Sequence, residues 1–246
     1  MRKVNYGSSR LTIVDHNESY GRYILRKIAK MVKIETVVDL GCGKGSDLKI
    51  IKEASGCKKL IGVDFDRRNA VELENEGIEV VDFDIEKERF PFENNSIDFI
   101  VANQVMEHCK EIYWINSEIF RSLKNGGYLF LGTPNVLSLH NRILGLLGYH
   151  PTQHKLLGPH VRLFSKKDTI KFYNYIGYDF LTVEKFYGSN FYPFPKFIAR
   201  PLATIFPNMA FSIFFLIKKN AEYNGQFLEY LKAVRLQSLF FNGEKT

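Results

Sequence analysis

The segment from Val37 to Asp47, VVDLGCGKGSD, constrains the fold more than any other part of the chain. Val37, Val38 and Leu40 supply the apolar, β-branched run of a buried strand. Gly41, Gly43 and Gly45 then allow a sharp turn and a close backbone approach to a ligand. From Asp47 to Ala54, Leu48, Ile50 and Ile51 recur among polar residues, so a helix opens here with its positive N-terminal end toward the loop. Strand, glycine loop and helix in that order make a cradle for a nucleotide-like molecule. A dinucleotide fingerprint runs G-x-G-x-x-G, whereas this loop runs D-x-G-x-G-x-G from Asp39, with Ser46 where the third glycine would stand.

The same rhythm continues to residue 135. A helix over Ser19 to Val32 leads into the first strand. A second strand spans Lys58 to Asp66, and a helix from Arg68 to Glu76 ends at Gly77. A third strand, IEVVDFD, follows at once, and Ser96 to Gln104 is the fourth. The stretch EIYWINSEIFRSLKNGG is a helix stopped by Gly126 and Gly127 before the fifth strand, YLFLGTPN. Strands alternating with helices predict an α/β fold on a parallel sheet. After Asn135 the period fades, and 136–164, rich in His, Gly and Leu, reads as a cap over the site. A helix ends at Gly177, and two further strands, FLTVEKFYG and AFSIFFLIKK, enclose an insertion whose prolines at 193, 195, 201 and 207 exclude one long helix. Phe227, Leu231 and Val234 mark a last amphipathic helix suited to self-association. The chain is expected to form one domain over 1–246. Within it, 1–35 is an N-terminal lid, 36–135 a cofactor-binding core, 136–164 the cap, 165–220 the rest of the sheet with an insertion at 188–209, and 221–246 a helical tail.

The loop led by Asp39 resembles motif I of the class I S-adenosylmethionine (SAM) dependent methyltransferases. A second segment, ERFPFENNSIDFIVANQVMEHC, resembles the UbiG-like and related small-molecule methyltransferases, in which P-F, a short polar turn and S-[FI]-D lead into the fourth strand and end in [LM]-E-H. The resemblance is specific from Thr36 to Asn135 and covers the remainder in general layout. It implies a Rossmann-like, seven-stranded, mostly parallel sheet of order 3-2-1-4-5-7-6 with helices on both faces. A cap after strand 5 and an insertion in the strand 6–7 hairpin complete that fold. It also implies SAM as cofactor and S-adenosylhomocysteine as product. On this resemblance Asp39, Gly41, Cys42, Gly43 and Gly45 lie under the amino-acid part of the cofactor. Asp64, at the end of the second strand, accepts the ribose hydroxyls, as a carboxylate there suits any nucleoside. Phe65 lies on the adenine face, Asp84 and Ile85 meet the adenine amino group and ring, Asn103 and Gln104 line the methionine end and the substrate mouth, and Glu107-His108 opens the next helix.

Methyl transfer is an in-line displacement on a sulfonium methyl group, and a weakly acidic acceptor hydroxyl also needs a general base, for which histidine is suited. Of six histidines, His140, His150, His154 and His160 fall in the cap. The segment GPHVRLFS resembles one in sugar- and polysaccharide-linked methyltransferases whose His-x-Arg unit faces the site. That makes His160 the leading catalytic candidate, with His154 and His108 beside it and Arg162 for an anionic group. Tyr6, Arg10, Tyr20 and Arg22 are candidates for a lid. NQVM stands where base-directed methyltransferases carry N-P-P-[FY], which argues against nucleic acid and for a small-molecule or carbohydrate acceptor; the expected reaction is O-methylation of a small-molecule, carbohydrate or lipid-linked acceptor. Two alternatives stay open: an NAD-linked oxidoreductase, and a non-catalytic binding module that holds an anionic partner through basic flanks.

The net charge of +7 is uneven, with 8 basic and 3 acidic residues in 1–36, 13 and 6 in 151–246, and 13 and 18 between. An acidic core between basic flanks suits an anionic substrate or surface. Cys42, Cys57 and Cys109 have no metal-ligand spacing and leave an odd thiol, so neither a metal nor a disulfide framework is expected and the cytoplasm is the expected compartment. The N-terminus lacks an apolar h-region. The run Phe211 to Ile217 falls short of the roughly 18–20 residues of a membrane span. Residues 191–217, with Lys196, Arg200, Lys218 and Lys219, read either as a peripheral membrane contact or as packed hairpin strands.

Overall fold

The computed structural model describes residues 16–155, 158–234 and 240–243. Its centre is β1 (Thr36–Leu40), flanked in parallel by β2 (Lys59–Val63) and β4 (Ile97–Asn103). With β3 (Glu79–Val81), β5 (Leu123–Pro134), β6 (Leu181–Ser189) and β7 (Ser212–Lys219) it forms one sheet of order β3-β2-β1-β4-β5-β7-β6. β7 alone runs antiparallel to its neighbours. The helices are α1 (His16–Ser19), α2 (Arg22–Ala29), α3 (Ser46–Ser55), α4 (Ala70–Asn75), α5 (Ile112–Ser122), α6 (Leu139–Leu146), α7 (Lys166–Ile176), α8 (Lys196–Ile205) and α9 (Gln226–Ala233).

Alternation along the strands divides the core in two, because successive side chains leave a strand on opposite faces. Val37, Phe99, Val101, Phe130 and Phe214 meet Leu25 and Ile28 of α2 and Leu48 and Ile51 of α3. Val38, Leu40, Ile100, Leu129 and Phe215 meet Ile115 and Phe120 of α5, Tyr173 of α7 and Phe227 of α9. Both faces are covered, so β1, β4 and β7 are near-continuous apolar runs rather than alternating ones.

Several boundaries differ from the sequence reading. The expected helix over Ser19 to Val32 divides into α1 and α2 at Gly21, whose φ of 58° and lack of a Cβ let the backbone sit against the Phe214 ring. α5 stops at Ser122, not at Gly126, because Leu123 is claimed by the sheet opposite Ile97 while Ser122 Oγ turns back to the Glu118 carbonyl 2.8 Å away. The cap holds α6. The insertion holds α8, which follows Pro195, carries Pro201 on its exposed side and buries Ala199 and Ala203 against Phe191 and Ala210.

The apolar run Phe211 to Ile217 is mostly β7, and Ile213 to Ile217 are core residues. Lys219 is buried and donates to Asn95 Oδ1 (2.7 Å) and the Leu123 carbonyl (2.8 Å), and Lys196 and Arg200 pair with Glu18 of α1. The cationic surface expected from these lysines is thus largely spent within the molecule. Among the described residues no helix is long and apolar enough to cross a membrane. Of the expected lid residues, Tyr6 and Arg10 lie outside the described residues.

α9 does not carry its main apolar residue outward for self-association. Phe227 is buried and stacks on Phe120, with ring centroids 5.7 Å apart and planes at 7°. Phe227→Ala should therefore cost about 3–5 kcal/mol of stability in denaturant unfolding without changing the elution volume of the native protein. A loss below about 1 kcal/mol would place α9 outside the core.

Candidate functional site

The loop after β1 owes its shape to three left-handed glycines, Gly41, Gly43 and Gly45, with φ of 69°, 51° and 65°. Two main-chain donors, the Gly41 and Cys42 N–H groups, share the Val63 carbonyl at the end of β2 (2.7 and 3.0 Å), and the Gly43 N–H donates to Asp64 Oδ2 at 2.7 Å. The glycines serve two ends. A Cβ at Gly41 would lie 2.7 Å from Val105 Cγ2 and one at Gly45 2.6 Å from Leu73 Cδ2, so both are required by packing. A Cβ at Gly43 would meet nothing within 4 Å and would project into open space. Cys42 packs its sulfur over Gly62, and burial pushes its thiol up to about 12, so it is an inert wall.

Two cavities meet at Gly41. The larger, about 810 Å³, is lined by Asp64, Phe65, Asp84, Ile85, Gln104, Val105 and His108 among others. Phe65 is 87% exposed, an aromatic ring with a bare face at the cavity wall. Asp64 also accepts the Asp66 N–H at 2.9 Å through Oδ1. Asp84 lies beyond the end of β3, in a turn where it accepts the Glu86 N–H at 2.9 Å and pairs with Lys87 at 3.0 Å. Gln104 sits at φ 61°, a costly conformation for a side chain with a Cβ. Its N–H donates to the Gly132 carbonyl at 2.8 Å and its buried Nε2 has no partner.

The smaller cavity, about 330 Å³, is lined by Tyr20, Arg22, Asp39, Gly43, Lys44, Asp47 and Asn103 among others. Its floor holds two buried carboxyl groups, Asp39 and Asp47. Arg22 Nε lies 2.9 Å from Asp47 Oδ1 and its guanidinium covers the Tyr20 ring at 4.8 Å. Asn103 Nδ2 donates to Asp47 Oδ2 (2.6 Å) and to the Tyr20 carbonyl (3.0 Å), which leaves its buried Oδ1 without a partner. Burial, and next the charge of Asp47, raise the Asp39 carboxyl well above the usual range. Asp47 escaped the sequence reading as a site residue. Its position four residues before Ile51, on the buried face of α3, was the available sign.

The far edge of the larger cavity is made by His108 and Cys109, at the end of the turn Met106–His108, and the cap packs against that turn from outside. Glu107-His108 does not open α5, which starts at Ile112, but forms a separate 3₁₀ turn. The Val161 and Arg162 N–H groups both donate to the Glu107 carbonyl (2.9 and 3.0 Å), so the His-x-Arg segment is clamped onto that turn. His108 and His160 rings meet edge to face with centroids 4.7 Å apart. His160 is not in the wall of the larger cavity but behind His108, in a crevice with Gln153 and Phe164, and its basicity is lowered by burial and then by His108. His154 has a buried Nδ1 without a partner. Glu107 is 1% exposed and burial pushes its carboxyl up to about 8. Arg162, expected to hold an anionic group, donates to the Lys110 carbonyl and covers the Phe240 ring at 5.3 Å.

His140 plays another part. It stacks on Phe211 (centroids 5.3 Å, planes at 13°), its ring nitrogens lie 3.1 and 2.9 Å from Ser138 Oγ and Thr152 Oγ1, and burial pushes it down to about 4 from 6.5. With the folded value depressed, the unfolded chain takes up the proton first as pH falls. This contribution is therefore full above 6.5 and is lost between 6.5 and about 4. Unfolding midpoints measured across that window should fall less for His140→Gln than for the natural chain; equal pH slopes would show that His140 is not the group.

Residues 38–131 match the family described as methyltransferase domain. A probable S-adenosylmethionine-dependent methyltransferase of Mycolicibacterium smegmatis is 27% identical over 112 residues, 46% of this chain and 43% of that protein. The sterol 24-C-methyltransferase of Schizosaccharomyces pombe is 30% identical over 100 residues, 37% of this chain and 25% of that one. The chain thus spans less than half the length of either relative. Among solved structures, a SAM dependent methyltransferase from Archaeoglobus fulgidus has the same fold, with a TM-score of 0.56 at 17% identity over 82% of this chain and 94% of that one.

Proposed function

We propose, for a chain whose residues 38–131 form a methyltransferase domain of the class I SAM-dependent type, that the protein moves a methyl group from SAM to an acceptor hydroxyl at the edge of the larger cavity. The observation that carries this reading is the pair of unlike cavities joined at Gly41, one aromatic with acids at its rim, the other small and doubly charged. Bound SAM supplies an electrophilic methyl group on a sulfonium.

The residues fit such a ligand. The open space at Gly43 accepts a ligand atom where a side chain would stand. Asp64 uses one lone pair of each oxygen on Gly43 and Asp66, and a carboxylate offers about four acceptor sites, so acceptors remain for two ribose hydroxyls. The bare Phe65 ring and Ile85 suit a flat base, with Asp84 at its edge. On the other side Asp39 and the orphaned Asn103 Oδ1 are acceptors for an ammonium group, and Arg22 and Lys44 are cations for a carboxylate. An amino-acid zwitterion matches that set.

The chain's own part in the chemistry is mainly orientation. Holding the acceptor oxygen in line can be worth roughly 7–11 kcal/mol at best. Gln104, at the junction of β4 and the cavity, and His108, at the far rim, bound the space open to the acceptor. The acceptor's proton leaves at that rim, where His108 stands with His160 behind it and His154 within electrostatic range of His160. A small-molecule, carbohydrate or lipid-linked hydroxyl is the acceptor class.

Calorimetric titration tests the reading. SAM and S-adenosylhomocysteine should both bind, and NADH should not displace them; no heat from either at millimolar concentration would sink the proposal. Asp64→Ala removes hydrogen bonds to a charged group, about 1.5–3 kcal/mol, and should weaken binding roughly 10–100-fold. Gly43→Ala should weaken binding at least about tenfold while lowering stability by only about 1–2 kcal/mol, the cost of a left-handed alanine. Wild-type affinity in Asp64→Ala would remove Asp64 from the ribose role.

A further inference from the structure

We propose that Glu107, His108 and His160 form a binding site for one divalent cation of the zinc, cobalt or iron(II) kind at the acceptor edge of the cleft. One ligand atom from each of the three lies within 4.8 Å of the other two. Bonds of about 2.0–2.2 Å to one ion need ligand atoms somewhat closer than that, a change that small side-chain rotations supply. Two imidazoles and one carboxylate suit borderline transition metals rather than magnesium or calcium, which take oxygen ligands.

Independent features point to a cation. Glu107 is 1% exposed and its buried Oε2 has no hydrogen-bond partner, while Oε1 faces His108 Nε2 at 4.0 Å. A buried carboxylate without a partner is costly, and a cation held against it removes that cost. The imidazoles are also set as metal ligands usually are, with one ring nitrogen turned to a main-chain carbonyl and the other left for the ion. His108 Nδ1 lies 3.4 Å from the Pro159 carbonyl, so its Nε2 is the nitrogen on the Glu107 side. His160 faces the Gln153 backbone. The clamp of Val161 and Arg162 N–H groups on the Glu107 carbonyl keeps the two ligand segments together. Cysteine spacing could not have signalled this site, because its ligands are two adjacent residues and a histidine from the cap.

The consequence for catalysis rests on the methyltransferase reading, whereas the ion site itself does not. Three protein ligands leave a position open for the acceptor oxygen beside His108, which lines the cavity. Coordination there would lower the pKa of the acceptor hydroxyl. Its O–H bond breaks with the proton passing to solvent, an oxygen lone pair forms the new bond to the methyl carbon, and the electrons of the breaking C–S bond stay on sulfur. The imidazoles then act as neutral ligands rather than as free bases.

Titration of the metal-free full-length chain with Co²⁺, followed by its visible ligand-field absorption, and with Zn²⁺ by calorimetry, tests the site. One ion per chain is expected, with at least tenfold weaker binding in both His160→Ala and Glu107→Gln and no change in His150→Ala, an exposed cap histidine outside the cluster. Circular dichroism and SAM titration in the presence of a chelator confirm that each variant is folded. Absence of a Co²⁺ band in the natural chain, wild-type affinity in His160→Ala and Glu107→Gln, or equal weakening in His150→Ala would overturn the proposal. SAM binding that persists alongside such a result leaves the methyltransferase reading standing, and loss of SAM binding with an intact ion site tells against that reading alone.

Discussion

The Val63 carbonyl, with Asp64 beside it, is the point on which the rest of the site depends. It accepts two main-chain N–H groups from the loop after β1, and Asp64 takes a third. Those bonds tie the ends of two parallel strands together and oblige the intervening chain to turn through left-handed conformations, which glycine adopts without steric penalty. Gly41 and Gly45 spend their missing side chains on contact with Val105 and Leu73, so the loop is held from both flanks. Only Gly43 is left facing open space. Loss of the Val63 bonds would free the loop and, with it, the N-terminal end of α3.

The clamp at the other end of the cleft works in the same currency of main-chain bonds. The Glu107 carbonyl takes two N–H groups from the cap, which fixes His160 against His108 although 51 residues separate Pro159 from His108 in the chain. The cap is thereby fixed to the turn at the cavity's edge and is not a loose cover. Its interior is stiffened by Asn141, which accepts from the Thr152 N–H and donates to the Asn135 carbonyl, and by the stacked His140.

Much of the core was legible because its signals are local. Glycines at alternate positions, β-branched runs and strand–helix alternation are short-range patterns, and the sheet order follows from the family they resemble. Features that depend on contacts across the fold were not legible. The split at Gly21 is set by Phe214, the end of α5 by the pairing of Leu123 with Ile97, and the burial of Phe227 by Phe120. The lysines at 218 and 219 read alike in sequence, yet one lies beside Glu184 and the other is buried under Asn95. In the site, the loop residues and Asp64 were visible through spacing, whereas Asp47 and the grouping of Glu107 with two histidines needed the fold to bring them together.

The charge at the start of α3 separates the ligands that a strand–loop–helix unit can hold. A helix N-terminus ordinarily favours an anion such as pyrophosphate. Here the neighbouring floor carries Asp39 and Asp47, with Arg22 Nε 2.9 Å from Asp47 Oδ1. A pyrophosphate would bring more negative charge toward two buried acids. An ammonium group brings the charge they lack, and its arrival would let Asp39, held by burial well above its usual range, give up its proton. On the proposed reading, binding of an amino-acid ligand is coupled to ionisation of Asp39, and the two acids serve as the recognition element for the amino end of SAM.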